Sequence, residues 1–376
     1  MTNNPAAILE NLWWQGVNAV RGFSAVSTAL SKSNIKAPDL IIAVGKAAGD
    51  MALGARNHFD SPIQTIVVTK YDHISEALTT LDECEIIEAA HPVPDQNSLI
   101  GGARVLECVK NMTADQSLLL LVSGGASALV EVLEEGHSLQ SLKALNQGFL
   151  AEGLSIGEIN AERRKISRIK GGRLLDAFNG KSGHVIAISD VEGDSIDVIA
   201  SGIGAYYGDD DRVEIEIAAS NAVARQVIES AAQSKNLNIC LNEECLYGRA
   251  DDIAISLFDK IENGPAGLYI FGGEPTVELP ENPGRGGRNQ HLALLLAGKI
   301  KTRDDLHILI AGTDGTDGPT DEAGAIIDGS TVKDTAQVAK YLTAADAGTY
   351  LSERGALLTT GPTGTNVMDI VLVLKA

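Results

Sequence analysis

Short, uninterrupted apolar runs alternate with segments of helical periodicity along the first half of the chain. The runs cover 40–44, 66–69, 85–89, 118–122 and 185–189, and helical spacing covers 5–30, a segment around Met51 and Ala55, and 98–110. Apolar runs of this length, separated by helices, are typical of strands buried on both faces of a parallel sheet. The pattern therefore predicts an α/β fold in which helices cover both faces of a mostly parallel sheet.

A second series of strands is predicted after a polar stretch at 235–250. These strands cover 268–271, 275–279, 307–311, 325–327, 356–359 and 367–373, with helices over 253–261, 292–299 and 332–343. The polar stretch is the best candidate for a boundary, and 376 residues suit two domains. We therefore expect domains at 1–240 and 241–376.

Glycine-rich or acidic segments follow three of the predicted strands in the first domain directly. They are 45–49, 123–127 and 189–194. In open α/β sheets, ligands bind outside the carboxyl ends of the strands. We expect these segments to lie along one edge of the sheet and to form a binding site there.

The first two of these segments suit an anion. Gly45 and Lys46 stand between a strand and a helix, a geometry that binds phosphate, and a plain turn with a solvated lysine is an equal alternative. In 123–127, successive backbone amides with two hydroxyls favour ligand contact over a plain turn. The candidate ligand-binding residues of this segment are Ser123, Gly124, Gly125 and Ser127.

Asp190 follows the last of these strands. A carboxylate at this position can bind Mg²⁺ or accept a proton from a hydroxyl group. Lys170 closes a basic block at 160–173, where a binding role is slightly favoured over a solvated helix face. His91 lies in a turn between prolines, and we expect a structural role for it.

The second domain combines glycines with charged side chains at 272–290. Glu274, Arg285 and Arg288 lie in this segment. Glycine lets backbone N–H groups approach an anion closely, and the planar fork of arginine matches phosphate or carboxylate. The segment predicts a small, multiply charged anionic ligand.

Further candidates for ligand contact in the second domain are Asn289, Asp314, Asp317 and Asn366. The two aspartates lie in a glycine-rich loop at 312–321. Binding of Mg²⁺ or of a substrate hydroxyl and a rigid turn stabilised by aspartate side chains remain equal alternatives there.

Charge and composition exclude several classes of protein. The formal net charge of −20 argues against nucleic acid or an anionic membrane surface as a partner. No apolar run reaches membrane length, and the N-terminal residues lack a basic segment, so we expect a cytoplasmic protein. Four cysteines without a CxxC pair predict neither a zinc site nor a disulfide framework. A Walker motif at Gly180 is excluded, because Leu175 occupies the position of its first glycine.

Ten segments together resemble the glycerate 2-kinase family with its C-terminal MOFRL-type domain. In chain order they are 44–49, 91–95, 123–129, 159–174, 188–191, 198–202, 272–277, 284–290, 312–320 and 360–367. The resemblance implies two different α/β domains, a Rossmann-like first domain and a smaller MOFRL-type second domain, with the active site in the cleft between them.

The resemblance also implies an activity. It is the ATP- and Mg²⁺-dependent phosphorylation of D-glycerate at its 2-hydroxyl, which gives 2-phosphoglycerate. The catalytic residues of the family fall on Lys46, on Asp190, which is also the candidate metal ligand, and on Arg285, with Arg288 as the alternative arginine. The implied partners are D-glycerate and ATP, and the oligomeric state stays open, with a homodimer as one option.

The chain departs from the usual family pattern at three places. Ala126 replaces a third consecutive glycine, Ile203 begins a segment that usually holds Pro-Thr, and His291 replaces a glutamate. The change at Ile203 falls just downstream of the aspartate loop, and we expect it to affect substrate preference and loop geometry more than the reaction.

Two other functions are weighed against the kinase. An NAD(P)H-dependent hydroxypyruvate reductase is disfavoured, because no Gly-x-Gly-x-x-Gly segment follows the first strand. A non-catalytic sugar-phosphate sensor would suit the loops at 44–49 and 123–127. The arginine and aspartate motifs of the second domain argue against it.

Overall fold

The computed structural model describes residues 4–59, 61–152 and 156–376. Its α-helices are α1 Pro5–Ala19, α2 Gly22–Lys32, α3 Ala48–His58, α4 Glu76–Thr79, α5 Gln96–Asn111, α6 Ala126–Leu129, α7 Leu139–Glu152, α8 Ile156–Lys165, α9 Arg173–Asp176, α10 Asn221–Ser234, α11 Ala250–Asn263, α12 Arg288–Lys299, α13 Thr335–Thr343 and α14 Ala347–Ser352. Short 3₁₀ turns cover Glu192–Asp194 and Ile199–Gly202.

The strands divide between two sheets and one small ladder. They are β1 Leu40–Val44, β2 Gln64–Lys70, β3 Cys84–Ala89, β4 Ser117–Val122, β5 Ser182–Ile188, β6 Val213–Ala219, β7 Ile239–Glu244, β8 Gly248–Arg249, β9 Gly267–Gly273, β10 Pro275–Thr276, β11 Leu306–Gly312, β12 Gly324–Asp328, β13 Leu357–Leu358 and β14 Asp369–Lys375. The ladder pairs β8 with β10.

The chain forms two compact units. Residues 21–220 form one, called the central unit here, and residues up to Val20 together with 221–376 form the other, the terminal unit. The expected sequence boundary at 240/241 stays a prediction. The polar stretch at 235–250 contains the strands β7 and β8.

The central unit contains a parallel sheet with the strand order β3-β2-β1-β4-β5-β6. This confirms the parallel arrangement expected from the apolar runs. Val44 at the end of β1 lies opposite Val68 of β2 and Val122 of β4, and Val122 lies opposite Ala187 of β5. Because these strands run in register, the segments that follow them emerge at the same edge of the sheet.

Strand β6 was not predicted. Its sequence alternates glutamate with aliphatic residues, it lies at the edge of the sheet, and Ile215 in it is 38% exposed. An edge strand with one face exposed to solvent has no continuous apolar run, so apolar runs do not predict it.

The sheet of the terminal unit is mostly antiparallel. Its order is β13-β12-β11-β14-β9-β7, and within it only β7 and β9 pair in parallel. The predicted strand at 275–279 shortens to Pro275–Thr276. Leu279 is 67% exposed and precedes Pro280, so this end of the segment does not enter the core, although Val277 packs against it.

The predicted helix at 5–30 divides into α1 and α2. The Thr365 hydroxyl donates a hydrogen bond to the carbonyl of Val20 over 2.6 Å, and Arg21 is extended. Because the Val20 carbonyl already accepts from this side chain, it does not accept from an amide of a following helical turn.

Among the described residues, no helix has both the length and the apolar character needed to cross a membrane.

Candidate active site

The loops that follow β1 and β4 touch through their backbones. Gly45 has φ +121°, and a Cβ there would lie 2.5 Å from the carbonyl oxygen of Ser123. The amide of Lys46 donates to the Gly124 carbonyl over 2.9 Å, and the amide of Ala47 donates to the Ser123 hydroxyl over 3.1 Å. Glycine is required at position 45 both by the backbone angle and by the space.

Asp190 contacts the same loop. A Cβ at Gly124 would lie 2.7 Å from the carboxyl carbon of Asp190 and closer still to one of its oxygens. The carboxylate therefore lies against the bare backbone of the loop. The structure thus brings together Lys46, the 123–125 segment and Asp190, as the strand-end argument predicted.

Gly125 is where two further side chains meet. It has φ +83°, and a Cβ on it would lie 3.0 Å from Cγ of Lys46 and 3.2 Å from Cδ2 of His91. Ala126, where the family usually has a third glycine, begins α6 with ordinary helical geometry, so the replacement strains nothing. His91 was expected to be structural, and its position beside Lys46 places it among the candidate site residues.

The electrostatic surroundings of His91 are cationic. Burial, and after it the nearby Lys46, Lys70, His73 and Arg163, together lower its pKa to about 4. His91 is therefore neutral near pH 7. It can exchange a hydrogen bond with a ligand without adding to the positive charge around it.

Ser127 belongs to a chain of polar groups beside this loop. Its hydroxyl lies 2.8 Å from the hydroxyl of Ser201, which donates to Oδ1 of Asn160 over 2.9 Å. Ser201 is fully buried in a left-handed backbone conformation with φ +58°. These hydrogen bonds connect α6 to α8 and to the 3₁₀ turn that contains Ser201.

Lys170 is buried and paired inside the central unit. Its side chain is 1% exposed, and its ammonium contacts the carboxylate of Glu131, which also accepts from Ser167 over 2.5 Å. Removal of one partner from such a pair leaves a charge without compensation in the interior. In this structure Lys170 fixes the end of the basic block against the segment after α6, and its predicted ligand contact stays a prediction.

In the terminal unit, Arg288 is held by two carboxylates. Its guanidinium donates to Asp369 over 2.5 and 3.2 Å and contacts Glu274 over 2.7 Å. Burial opposes the charge of Arg288, yet Asp369 and then Glu274 raise its pKa above the usual value. Asn289 also donates to Asp369, over 3.0 Å.

Arg285 is held more loosely. Its backbone amide donates to Asp346 over 2.8 Å, and its guanidinium contacts Glu322 and, over 3.4 Å, the carbonyl of Gly348. The side chain is 43% exposed. The loop therefore fixes the backbone of Arg285 and leaves much of its guanidinium open to solvent.

Asp317 occupies the N-terminus of α12. Its two carboxylate oxygens accept from the amides of Asn289 and Gln290 over 3.0 and 2.8 Å, and the residue is 2% exposed. Burial raises its pKa to about 7, against the effect of the two amides. A buried carboxylate therefore fills the anion site that the start of a helix offers.

The other two candidates of these loops make local contacts. The side chain of Asp314 accepts from the amide of Thr316 over 3.0 Å. This hydrogen bond forms the aspartate-stabilised turn that the sequence offered as the alternative to ligand binding. Asn366 accepts from the amide of Met368 over 3.0 Å. Ligand contact by either residue stays a prediction.

In the part of the chain that the structure describes, no group of three or more His, Cys, Asp or Glu side chains could hold a metal ion. Asp190 as a metal ligand stays a prediction. The carboxylate beside a bare glycine backbone suits Mg²⁺, because this ion is often held by one or two carboxylates together with phosphate oxygens and water.

The chain matches two sequence families, one in each half. Residues 8–238 match a domain of unknown function, DUF4147, and residues 267–369 match the MOFRL family. It is 37% identical to a D-glycerate 2-kinase of Thermotoga maritima, over 96% of both chains. It is also 32% identical to a putative hydroxypyruvate reductase of Agrobacterium vitis, over 89% of this chain and 86% of the relative.

A solved structure agrees with the sequence relatives. The crystal structure of glycerate kinase from Thermotoga maritima superposes with a TM-score of 0.89 at 34% identity and covers 99% of each chain. The chain therefore belongs to the glycerate 2-kinase family, with the MOFRL region in its C-terminal part, as the resemblance implied.

Two residues of the candidate site were not identified from the sequence. Asp369 begins β14, which runs antiparallel to β9 and β11, so its carboxylate lies at the carboxyl ends of those two strands, opposite Gly273 and Gly312. This position depends on strand direction, which the sequence pattern did not predict. The sequence points to His91 less clearly, because the residues that surround it depend on which strands are neighbours in the sheet.

We expect Asp317→Ala to lower the free energy of unfolding of the terminal unit by about 2 kcal/mol, because two helical amides lose their acceptor. The chain has two tryptophans, Trp13 and Trp14, and both lie in α1. Tryptophan fluorescence during urea unfolding therefore reports on this unit. Asp314→Ala, three positions away and half-buried, is the matched control with a smaller loss. Equal losses in the two variants would contradict the assignment of Asp317.

We expect His91 to make stability fall on acidification. Histidine in the unfolded chain binds a proton below about pH 6.5, whereas the folded protein resists protonation until about pH 4. The unfolded state thus binds more protons in this window, and the contribution present above pH 6.5 is lost as the pH falls to 4. Thermal unfolding followed by circular dichroism should show a weaker fall for His91→Gln. The exposed His137→Gln should behave as wild type, and identical profiles for all three proteins would refute the expectation.

Proposed function

We propose that this protein is a glycerate 2-kinase that transfers a phosphoryl group from ATP, with Mg²⁺, to the 2-hydroxyl of D-glycerate. The observation that carries the proposal is the contact of Lys46, the glycine backbone at 124–125 and Asp190 in a member of this family. Lys46 and the loop amides offer positive groups to an anion, and Asp190 offers a carboxylate to a hydroxyl.

Phosphoryl transfer requires little covalent chemistry from the protein and depends on positioning of the reactants and on stabilisation of charge. The 2-hydroxyl oxygen forms a bond to the terminal phosphorus as the bond from that phosphorus to the ADP oxygen breaks. Asp190 accepts the proton of this hydroxyl; if Asp190 instead holds Mg²⁺, the proton passes to water. Lys46 offsets negative charge on the ligand oxygens, and Arg285 offsets the charge on the transferred group.

The two arginines differ in what their removal costs. Arg288 neutralises the buried carboxylate of Asp369, so its loss leaves a charge without a partner. Arg285 is 43% exposed and its partner Glu322 is 14% exposed, so turning Arg285 toward a ligand leaves a carboxylate that is less deeply buried than Asp369. This difference supports Arg285 as the arginine that acts on the phosphoryl group. The expectation that both units serve one active site stays a prediction.

The product identifies the reaction. Incubation with D-glycerate, ATP and Mg²⁺ should give 2-phosphoglycerate, which phosphorus NMR distinguishes from 3-phosphoglycerate. A parallel incubation with NADH and hydroxypyruvate tests the activity in the name of the Agrobacterium relative. Oxidation of NADH without a phosphorylated product would overturn the kinase, and neither reaction would favour a sensor.

We expect Arg285→Ala to lower kcat by about 10³ with the fold intact, because charge on the transferred group is then poorly stabilised. Arg249→Ala removes an exposed arginine paired with Glu278 and serves as the control with unchanged turnover. Arg288→Ala should instead lower the urea midpoint. Near wild-type turnover of Arg285→Ala would remove that residue from the mechanism.

A further inference from the structure

Three neighbouring strands of the central sheet end in basic or imidazole side chains. Lys70 is the last residue of β2, Lys46 follows β1 and His91 follows β3. The order β3-β2-β1 makes these ends adjacent, and the ring of His73 lies 3.4 Å from the Lys46 carbonyl. Lys46, Lys70, His73 and His91 are called the lysine–histidine cluster below.

Among the described residues, the two lysines of this cluster lack the carboxylate partner that Lys170 has. Within 4–59, 61–152 and 156–376, neither Lys46 nor Lys70 forms an ion pair with a carboxylate. Lys170, by contrast, is buried against Glu131. The chain has a net charge of −20, so the two lysines form a local positive group within an acidic protein.

Lys46 and His91 meet at Gly125. The side-chain stem of Lys46 and the edge of the His91 ring approach the same point above Gly125, where a side chain would separate them. Burial and the positive charges of Lys46 and Lys70 disfavour a proton on His91, and a bound anion would favour it. Arg163 of α8 also acts on His91, so positive charge reaches it from more than one element.

We propose that Lys70 and His91, together with Lys46, form an oxyanion site at the ends of β1, β2 and β3. Its ligand is a carboxylate or phosphate oxygen of a small molecule. Lys70 supplies charge, and neutral His91 supplies a hydrogen bond that orients the oxyanion. The inference rests on the proposed function for the choice between two sources, the carboxylate of glycerate and the phosphates of ATP.

The other half of the same edge has different chemistry. The ends of β4 and β5 contribute the amides of Gly124 and Gly125 and the carboxylate of Asp190, whereas the Ser123 amide donates to the carbonyl of Val44. In glycerate, the carbon that bears the 2-hydroxyl is bonded to the carboxylate carbon. A glycerate carboxylate at Lys70 and His91 would therefore direct the 2-hydroxyl toward Asp190.

Direct binding tests the site without turnover. Calorimetry would give the Kd of D-glycerate and of ATP with Mg²⁺ for wild type, Lys70→Met, Lys70→Arg, His91→Gln and the control Lys110→Met, which removes an exposed lysine from α5. We expect Lys70→Met to weaken one of the two ligands about tenfold, Lys70→Arg to restore most of it, and Lys110→Met to match wild type. Loss for glycerate alone places its carboxylate in the site, and loss for ATP alone places a phosphate there.

NMR of the histidine rings gives a second readout that does not depend on the identity of the substrate. Inorganic phosphate should raise the pKa of His91, assigned by the loss of its signal in His91→Gln, while chloride at equal ionic strength should not. Unchanged affinities in Lys70→Met with no response of His91 to phosphate would overturn the oxyanion site, even if glycerate is phosphorylated. Absence of kinase activity with a His91 response would instead refute the proposed function and retain the site.

Discussion

The candidate site of the central unit depends on the absence of side chains where its loops touch. At Gly45 the loop after β1 meets the backbone of Ser123, and at Gly124 the loop after β4 meets the carboxylate of Asp190. A methyl group at either position would separate the loops and move Lys46 or Asp190 away from the other. The parallel sheet brings the loops to one edge, but the glycines set how closely the functional groups approach.

The charged groups of the two units are arranged in different ways. In the terminal unit the two candidate arginines already have carboxylate partners, as Arg288 has in Asp369 and Arg285 has in Glu322. Asp317 likewise occupies the start of α12. An anion at these arginines or at the start of α12 would compete with these carboxylates. In the central unit, neither Lys46 nor Lys70 forms an ion pair with a carboxylate of the described residues.

The sequence predicts the parts of the structure that depend on local pattern. The apolar runs identify β1 to β5, and the strand-end rule brings Lys46 and Asp190 together. Run length does not encode strand direction, so the antiparallel order of the second sheet was not foreseen. The contact between Arg288 and Asp369 spans 81 positions, and the place of His91 depends on which strands are neighbours. Contacts of this kind depend on the packing of the whole sheet, so a short segment of sequence does not predict them.

The membership of α1 in the terminal unit has a consequence for synthesis on the ribosome. This helix buries Trp13, and a Cβ at Gly16 would lie 2.7 Å from Ile228 of α10, yet residues 21–220 form a separate compact unit. The central unit can complete its contacts while the chain is still growing, whereas the first helix must wait for α10 and the strands beyond it. Its apolar face therefore has no partner while the central unit is being made; α1 precedes that unit in the chain and completes its packing after it.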